Sequence, residues 1–133
     1  MSGELYVHTL FGPMKGRAPG NDKIYTPDIV ARQIVDHFKP AGRILEPCIG
    51  AGAFLKALPE GTEWCEVERG RNFFDFTDKV DWIVTNPPFS KISEFMVHSM
   101  KLATNIVFLL NLPAIFTVRR VRELYRHQFG IKE

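Results

Sequence analysis

The sequence predicts an α/β fold: an open, mostly parallel sheet with helices on both faces. Three observations carry this expectation. Short apolar runs alternate with segments of helical periodicity through most of the chain. The run Ile106 to Leu110 is apolar at every position, as a parallel strand covered on both faces should be. Turns rich in Gly and Pro separate these runs.

The elements follow in order. Residues 12 to 23 are dense in Gly, Pro and charge and read as a loop, so residues 1 to 24 form an N-terminal strand and loop arm. From residue 25 onward the core begins. Thr26 can cap a helix, Pro27 suits a first helical position, and Asp28 favours the positive end of the helix dipole. Val30, Ile34, His37 and Phe38 share one face, which predicts a helix over Pro27 to Phe38, stopped by Pro40 and Gly42. Arg43 to Glu46 is a short strand, and Ala53 to Leu58 a short helix ended by Pro59. Glu63 to Val67 is a second strand, Phe73 to Phe76 a weak third, and Asp81 to Thr85 a fourth. Ile92, Phe95, Met96, Ser99, Met100 and Ala103 line one helical face. Ile106 to Leu110 is the fifth strand. Thr117 caps a last helix with Val118, Val121, Leu124 and Tyr125 inward and Arg119, Arg120, Arg122 and Arg126 mostly outward.

Composition bounds the rest. The chain of 133 residues and 15.2 kDa is enough for a single core, and its 45% hydrophobic and 24% charged residues are those of a globular protein rather than a disordered tail. No apolar run approaches the ~18 residues of a membrane span, and no secretion signal opens the chain. A cytoplasmic setting with reduced Cys48 and Cys65 is expected. The net charge of +2 neither announces nor excludes nucleic acid. His8, His37, His98 and His127 are scattered, so no metal is expected.

In open α/β sheets ligands bind beyond the carboxyl ends of the strands, so the residues after each strand are the candidates. After the first comes Glu46-Pro47-Cys48-Ile49-Gly50-Ala51-Gly52-Ala53-Phe54. Two glycines one residue apart let backbone approach a ligand closely, but a dinucleotide fingerprint wants a third glycine where Leu55 stands. Glu46, directly before the loop, suits a ligand with a cationic amine. The bland alternative is a glycine turn with no ligand. Glu66, 20 residues beyond Glu46, can accept hydrogen bonds from ribose hydroxyls; Glu68 competes for that role, and a solvated acid is the plain alternative. After the fourth strand comes Asn86-Pro87-Pro88-Phe89. Its two prolines remove backbone donors, leaving a stiff loop of free carbonyls beside an amide and an aromatic face. Such a loop can hold a planar base with an exocyclic amine, or be only a rigid turn.

Together, Tyr25-Thr26-Pro27, Leu45 to Phe54, Glu66 and Asn86-Pro87-Pro88-Phe89 resemble the ordered motifs of S-adenosylmethionine-dependent amino-methyltransferases. The similarity is greatest to DNA adenine-N6 methyltransferases whose cofactor motifs precede the catalytic one, and it covers residues 25 to about 116. The resemblance implies a Rossmann-like class I methyltransferase fold, a three-layer sandwich. It implies that Tyr25, Thr26 and Pro27 lie near the methionine part of the cofactor. Glu46, Pro47, Gly50, Gly52 and Phe54 would floor the cofactor pocket, and Glu66 would take the ribose. Asn72 and Phe73 would lie beside the adenine ring, with Asn72 standing where the family has an acid. Asn86 and Pro87 would accept the hydrogens of the target amine, in the rigid frame of Pro88, and Phe89 would stack on a flipped base.

Two departures accompany the resemblance. The family fold continues with two more strands, forming a hairpin at the sheet edge, and with a target-recognition domain; the expectation is a sheet lacking those last strands, its fifth strand an open edge. Either a minimal phage-type enzyme borrows DNA recognition from a partner subunit or from self-association, or the chain derives from a partial gene. Basic residues available for DNA phosphates are Lys15, Arg17 and Lys23, and Arg119, Arg120, Arg122 and Arg126. Other readings of the same residues are a protein-glutamine or RNA amino-methyltransferase, a cofactor-binding domain without catalysis, and, last, a nicotinamide enzyme.

Overall fold

The computed structural model describes residues 3–8, 26–110 and 118–132. They form one α/β unit whose six strands make a single sheet: β1 (Gly3–His8), β2 (Ile44–Glu46), β3 (Glu63–Trp64), β4 (Val80–Thr85), β5 (Ala103–Leu109) and β6 (Phe129–Lys132). The spatial order is β3-β2-β4-β5-β1-β6, and every neighbouring pair is parallel. Four helices cover the sheet: α1 (Asp28–Phe38), α2 (Ala53–Ala57), α3 (Ile92–Leu102) and α4 (Val118–Arg126).

Period-2 alternation divides the core into two layers. Leu5, Leu45, Ile83, Ile106 and Phe108 face α3 and α4, where Phe95, Met96, Met100 and Leu124 meet them. Ile44, Val84, Val107 and Leu109 face the other way, onto Ala31, Ile34 and Val35 of α1 and Phe54 of α2. The buried stripe of α3 follows its spacing, with Ile92, Phe95, Met96, Ser99 and Met100 all inward, but Ala103, expected on the same helical face, instead opens β5. In α1 the stripe is shifted: Ala31, Ile34 and Val35 are buried, while His37 is exposed. Thr26 does not cap α1. Pro27 occupies the N-cap position with no side-chain bond, and Lys39 ends the helix in the left-handed conformation (φ 49°). No helix among the described residues is long and apolar enough to cross a membrane.

Three further expectations are corrected. The weak third strand is a 3-10 turn over Phe73–Asp75. Asn72 Oδ1 accepts the Phe74 N–H at 3.0 Å, curling the backbone, and the Phe73 ring turns down against Phe95 and His98 at 4.9 and 4.7 Å. A side-chain acceptor two residues upstream offers the backbone an alternative to the sheet ladder. In α4, Leu124 is buried, but Val121 is 45% exposed and Tyr125 88% exposed, so the expected inward pair is outward. The Val118 side chain and Thr117 lie outside the described residues.

The edge expected to be open is the third correction. The strand of the N-terminal segment inserts beside β5, with Leu5 opposite Ile106, and β6 then adds outside it, with Leu5 opposite Ile131. Both strands run parallel to the rest, so the edge of β5 is covered by the chain's own ends rather than by a hairpin. The alternating and continuous apolar runs in the middle of the chain announced their strands. Phe129–Lys132, four residues with a glycine, carried no such signal.

Leu5 is fully buried in this arrangement. Leu5→Ala should lower the free energy of unfolding by ~2–5 kcal/mol, the range for a large-to-small change in a packed core. Urea denaturation of the two proteins measures it.

Candidate functional site

The carboxyl ends of β2 and β4 are neighbours because the strands pair in register, Ile44 opposite Trp82 and Leu45 opposite Ile83. Glu46 at the end of β2 with the loop after it, and the residues from Asn86 onward after β4, therefore open on one side of the sheet. A cavity of about 550 Å³ lies there, a size typical of small-molecule sites.

The glycine loop is built from backbone bonds. Gly50 (φ 52°) and Gly52 (φ 89°) adopt left-handed conformations that side chains disfavour. The Gly52 N–H closes the turn on the Ile49 carbonyl at 2.7 Å, and the Gly52 carbonyl accepts the Lys56 N–H, starting α2. Glu66 holds the loop from the side: its Oε2 accepts the Gly50 N–H at 3.0 Å and its Oε1 the Glu68 N–H at 3.3 Å.

Glu46 is the floor. It is only 1% exposed, and its Oε1 accepts the Cys48 N–H at 2.8 Å. Burial pushes its carboxyl up to about 8; the Cys48 N–H opposes the push and the nearby Glu66 charge adds to it. The Thr85 hydroxyl also opposes it, although it makes no hydrogen bond of good geometry among the described residues. A carboxyl that burial keeps protonated at the floor of a cavity can take a cationic group. Binding one would ionise the acid and supply the charge that burial withholds.

The opposite wall comes from the Asn-Pro-Pro-Phe segment. Asn86 Nδ2 donates to Thr26 Oγ1 at 3.2 Å across the mouth of the cavity. With its nitrogen held there, the amide presents Oδ1 as an acceptor. Cys65 is buried and its thiol is pushed up to about 11, which suits a packing residue and not a nucleophile.

Of the residues singled out from the sequence, Thr26, Glu46, Pro47, Gly50 and Phe54 line the cavity, together with Glu66, Asn72, Phe73, Asn86 and Pro88. Pro27, Gly52, Pro87 and Phe89 do not. Pro27 begins α1, Gly52 begins α2, Pro87 is buried, and Phe89 is 49% exposed in the turn before α3. Tyr25 lies outside the described residues. Glu68, the competing acid, also lines the cavity. Asn72 is engaged as the acceptor for Phe74 N–H, leaving one lone pair of its oxygen.

Sequence reasoning missed Lys91, Phe95 and Arg69, which also face the cavity. Lys91 and Phe95 stand just after Asn-Pro-Pro-Phe, and α3 starts beneath the mouth, so position in that first turn was the available signal. It also missed the bond from Thr26 to Asn86, for which a separation of 60 residues gives no local cue.

The Glu46 shift sets a pH dependence. Its folded pKa lies above the ordinary carboxyl range, so between about pH 4.5 and 8 the folded protein keeps a proton that the unfolded chain has lost. Stability therefore falls as pH rises through that window, by at most about 1.4 kcal/mol per pH unit from this group. Glu46→Gln should flatten the fall. Thermal melts of both proteins from pH 5 to 8.5 (roughly the window set by linkage) provide the check.

The chain matches no family model, no curated protein and no solved structure.

Proposed function

We propose that the chain is a methyltransferase that moves a methyl group from S-adenosylmethionine to the exocyclic N6 amine of adenine in DNA, on a Rossmann-like class I methyltransferase fold. The observation that carries this reading is the convergence of Gly50, Glu46, Glu66 and Asn86 on one cavity at the carboxyl ends of β2 and β4. These residues are far apart in sequence, and the resemblance needs them on one side of the sheet.

The residues present fit the cofactor. Glu46, buried and raised in pKa, can neutralise a cationic amine or sulfonium. Glu66 and Glu68 offer carboxylate oxygens for ribose hydroxyls. Phe73 and Phe74 offer apolar surface for an adenine ring, and the bare backbone of Gly50 permits close approach. S-adenosylmethionine, when bound, supplies an electrophilic methyl carbon that an amine lone pair displaces from sulfur in one step.

An exocyclic aromatic amine is a weak nucleophile because its lone pair is delocalised into the ring. Asn86 Oδ1 and the Pro87 carbonyl accept its two hydrogens and draw the nitrogen toward tetrahedral geometry, which localises the lone pair. Thr26 holds the Asn86 amide in the orientation that aims Oδ1 rather than Nδ2. Pro87 and Pro88 fix the backbone of the loop, so the acceptors need no reorganisation in the transition state. Phe89, exposed at the turn, can stack on a base taken out of the duplex, an interaction worth ~1–3 kcal/mol.

Labelled methyl transfer onto unmethylated DNA, onto RNA and onto a glutamine peptide tests the reading; label on adenine in DNA is the expected result, and label on either other acceptor alone overturns it. Asn86→Ala should lower kcat by ~100-fold or more, the scale of a lost transition-state partner, with cofactor affinity nearly unchanged. Glu66→Ala should do the reverse, weakening cofactor binding by about tenfold or more in calorimetry. Thr26→Val should reduce kcat by ~10-fold and leave cofactor affinity in place, since it removes one hydrogen bond that orients the amide. Binding of S-adenosylmethionine at pH 7 should release a proton from wild type and none from Glu46→Gln, read as the buffer dependence of the binding enthalpy.

A further inference from the structure

Helix α4 lies flat against the sheet layer through one narrow side. Leu124 is buried, Arg120 Nε donates to Ser93 Oγ at 2.8 Å, and Glu123 is turned in toward His127 and Arg126. At about 100° per residue the remaining positions form one continuous outward arc: Val121, Tyr125, Arg122, Arg126 and Arg119. Three guanidiniums and an aromatic ring that is 88% exposed thus share a single face.

A merely solvated helix face is a poor account of this arc. Arg119 and Arg122 stand three residues apart, and Arg122 and Arg126 four apart, spacings at which like charges repel. Arg119 and Arg122 pair with no carboxylate among the described residues. No acid occupies the first turn, where the helix dipole would favour one, and Arg119 and Arg120 stand there instead. Each of these features is unfavourable for α4 alone and favourable once anions lie along it. Arginine rather than lysine at every basic position adds the planar fork that grips phosphate oxygens in pairs.

Placement supplies the rest. The Arg120–Ser93 bond ties α4 to the second residue of α3. The turn Phe89–Lys91 immediately precedes that helix, and Lys91 lines the cavity while Pro88 before it forms part of the wall. The bond therefore anchors α4 beside the start of α3, the helix that follows the cavity-lining Lys91 in the chain.

We propose that the outward face of α4 is the docking surface for the phosphate backbone of duplex DNA, with Arg119, Arg122 and Arg126 on successive phosphates and Tyr125 against the sugar edge. This rests on the reading of the cavity as a site for adenine in DNA, and gives that reading the surface that holds the strand in place. The contacts are sequence-independent: they position the duplex and leave base choice to the cavity.

The test uses the full chain and a short fluorescein-labelled DNA duplex of mixed sequence, titrated at several salt concentrations. R119Q/R122Q should bind at least about tenfold more weakly, with a log K against log salt slope shallower by about 1.8, roughly 0.9 for each phosphate contact removed. Affinity for S-adenosylhomocysteine should be unchanged in calorimetry. Tyr125→Ala should weaken binding without altering the slope, and Arg32→Gln, on the exposed side of α1, should change neither. Wild-type affinity and slope in R119Q/R122Q overturn the proposal, as does tighter binding of the matching RNA duplex or no binding of DNA by wild type. Methyl transfer to DNA is measured alongside. Transfer by R119Q/R122Q with an unchanged kcat/KM overturns the docking surface and leaves the cavity reading standing. DNA binding that α4 controls, without transfer by wild type, does the opposite.

Discussion

The parallel pairing of β2 with β4 is the constraint on which the cavity depends. Two backbone neighbours, Ile44 opposite Trp82 and Leu45 opposite Ile83, bring the carboxyl ends of both strands together, so that the loops after Glu46 and Thr85 leave the same end of the sheet. The strand β2 is only three residues long, and its other end is held by charge. The Asp81 carboxylate accepts the Arg43 N–H at 2.7 Å, while the Arg43 guanidinium bridges Glu63 at 2.6 Å and Asp78 at 2.8 Å. Arg43 holds the Glu63 carboxyl below its usual range. These groups are largely in solvent, and their energetic worth is modest. Their structural effect is to tie the starts of β2, β3 and β4 together, which keeps a very short strand in register.

Within that frame the buried Glu46 is an element that opposes folding. A carboxyl group at the floor of a cavity is expensive to ionise and only partly compensated by one backbone N–H. Hydrophobic replacement would fill the position with less conflict. That conflict sits in the cavity that the glycine loop and the Asn86 amide also line, and a local inconsistency of this kind marks a candidate site in a fold that is otherwise consistent.

Most of the middle of the chain was legible. Helical spacing in Ile92 to Met100 and the unbroken apolar run from Ile106 are strong local signals, and both elements form, although β5 starts at Ala103, three residues before that run. Glu46, Gly50, Glu66 and Asn86 come to line one cavity for a related reason: they stand at or just after strand ends, and a parallel sheet gathers its strand ends. What escaped was non-local. Phe73 to Phe76 reads as strand by composition, but the Asn72 side chain and the rings of Phe95 and His98 decide its shape. Tyr125 reads as inward by spacing, yet a nine-residue helix resting on Leu124 and Arg120 has room for only a narrow contact. The cover over β5 joins segments from opposite ends of the chain, and no window of sequence holds both.

That cover has a kinetic meaning. β1 is central in its half of the sheet, flanked by β5 and by β6, and both of its neighbours lie about a hundred residues downstream in order. During synthesis β1 emerges long before either partner exists, so it must remain unpaired, with its hydrogen-bonding edges exposed, until β5 and β6 have followed it out of the ribosome. Closing so long a loop is the slow kind of folding event, and unsatisfied strands of this sort are templates for association between nascent copies. The half of the sheet containing β2 and β4 has no such dependence, because its strands lie close in sequence. The two halves of this small sheet therefore differ in when they can be completed, and the half that carries the cavity can take shape first.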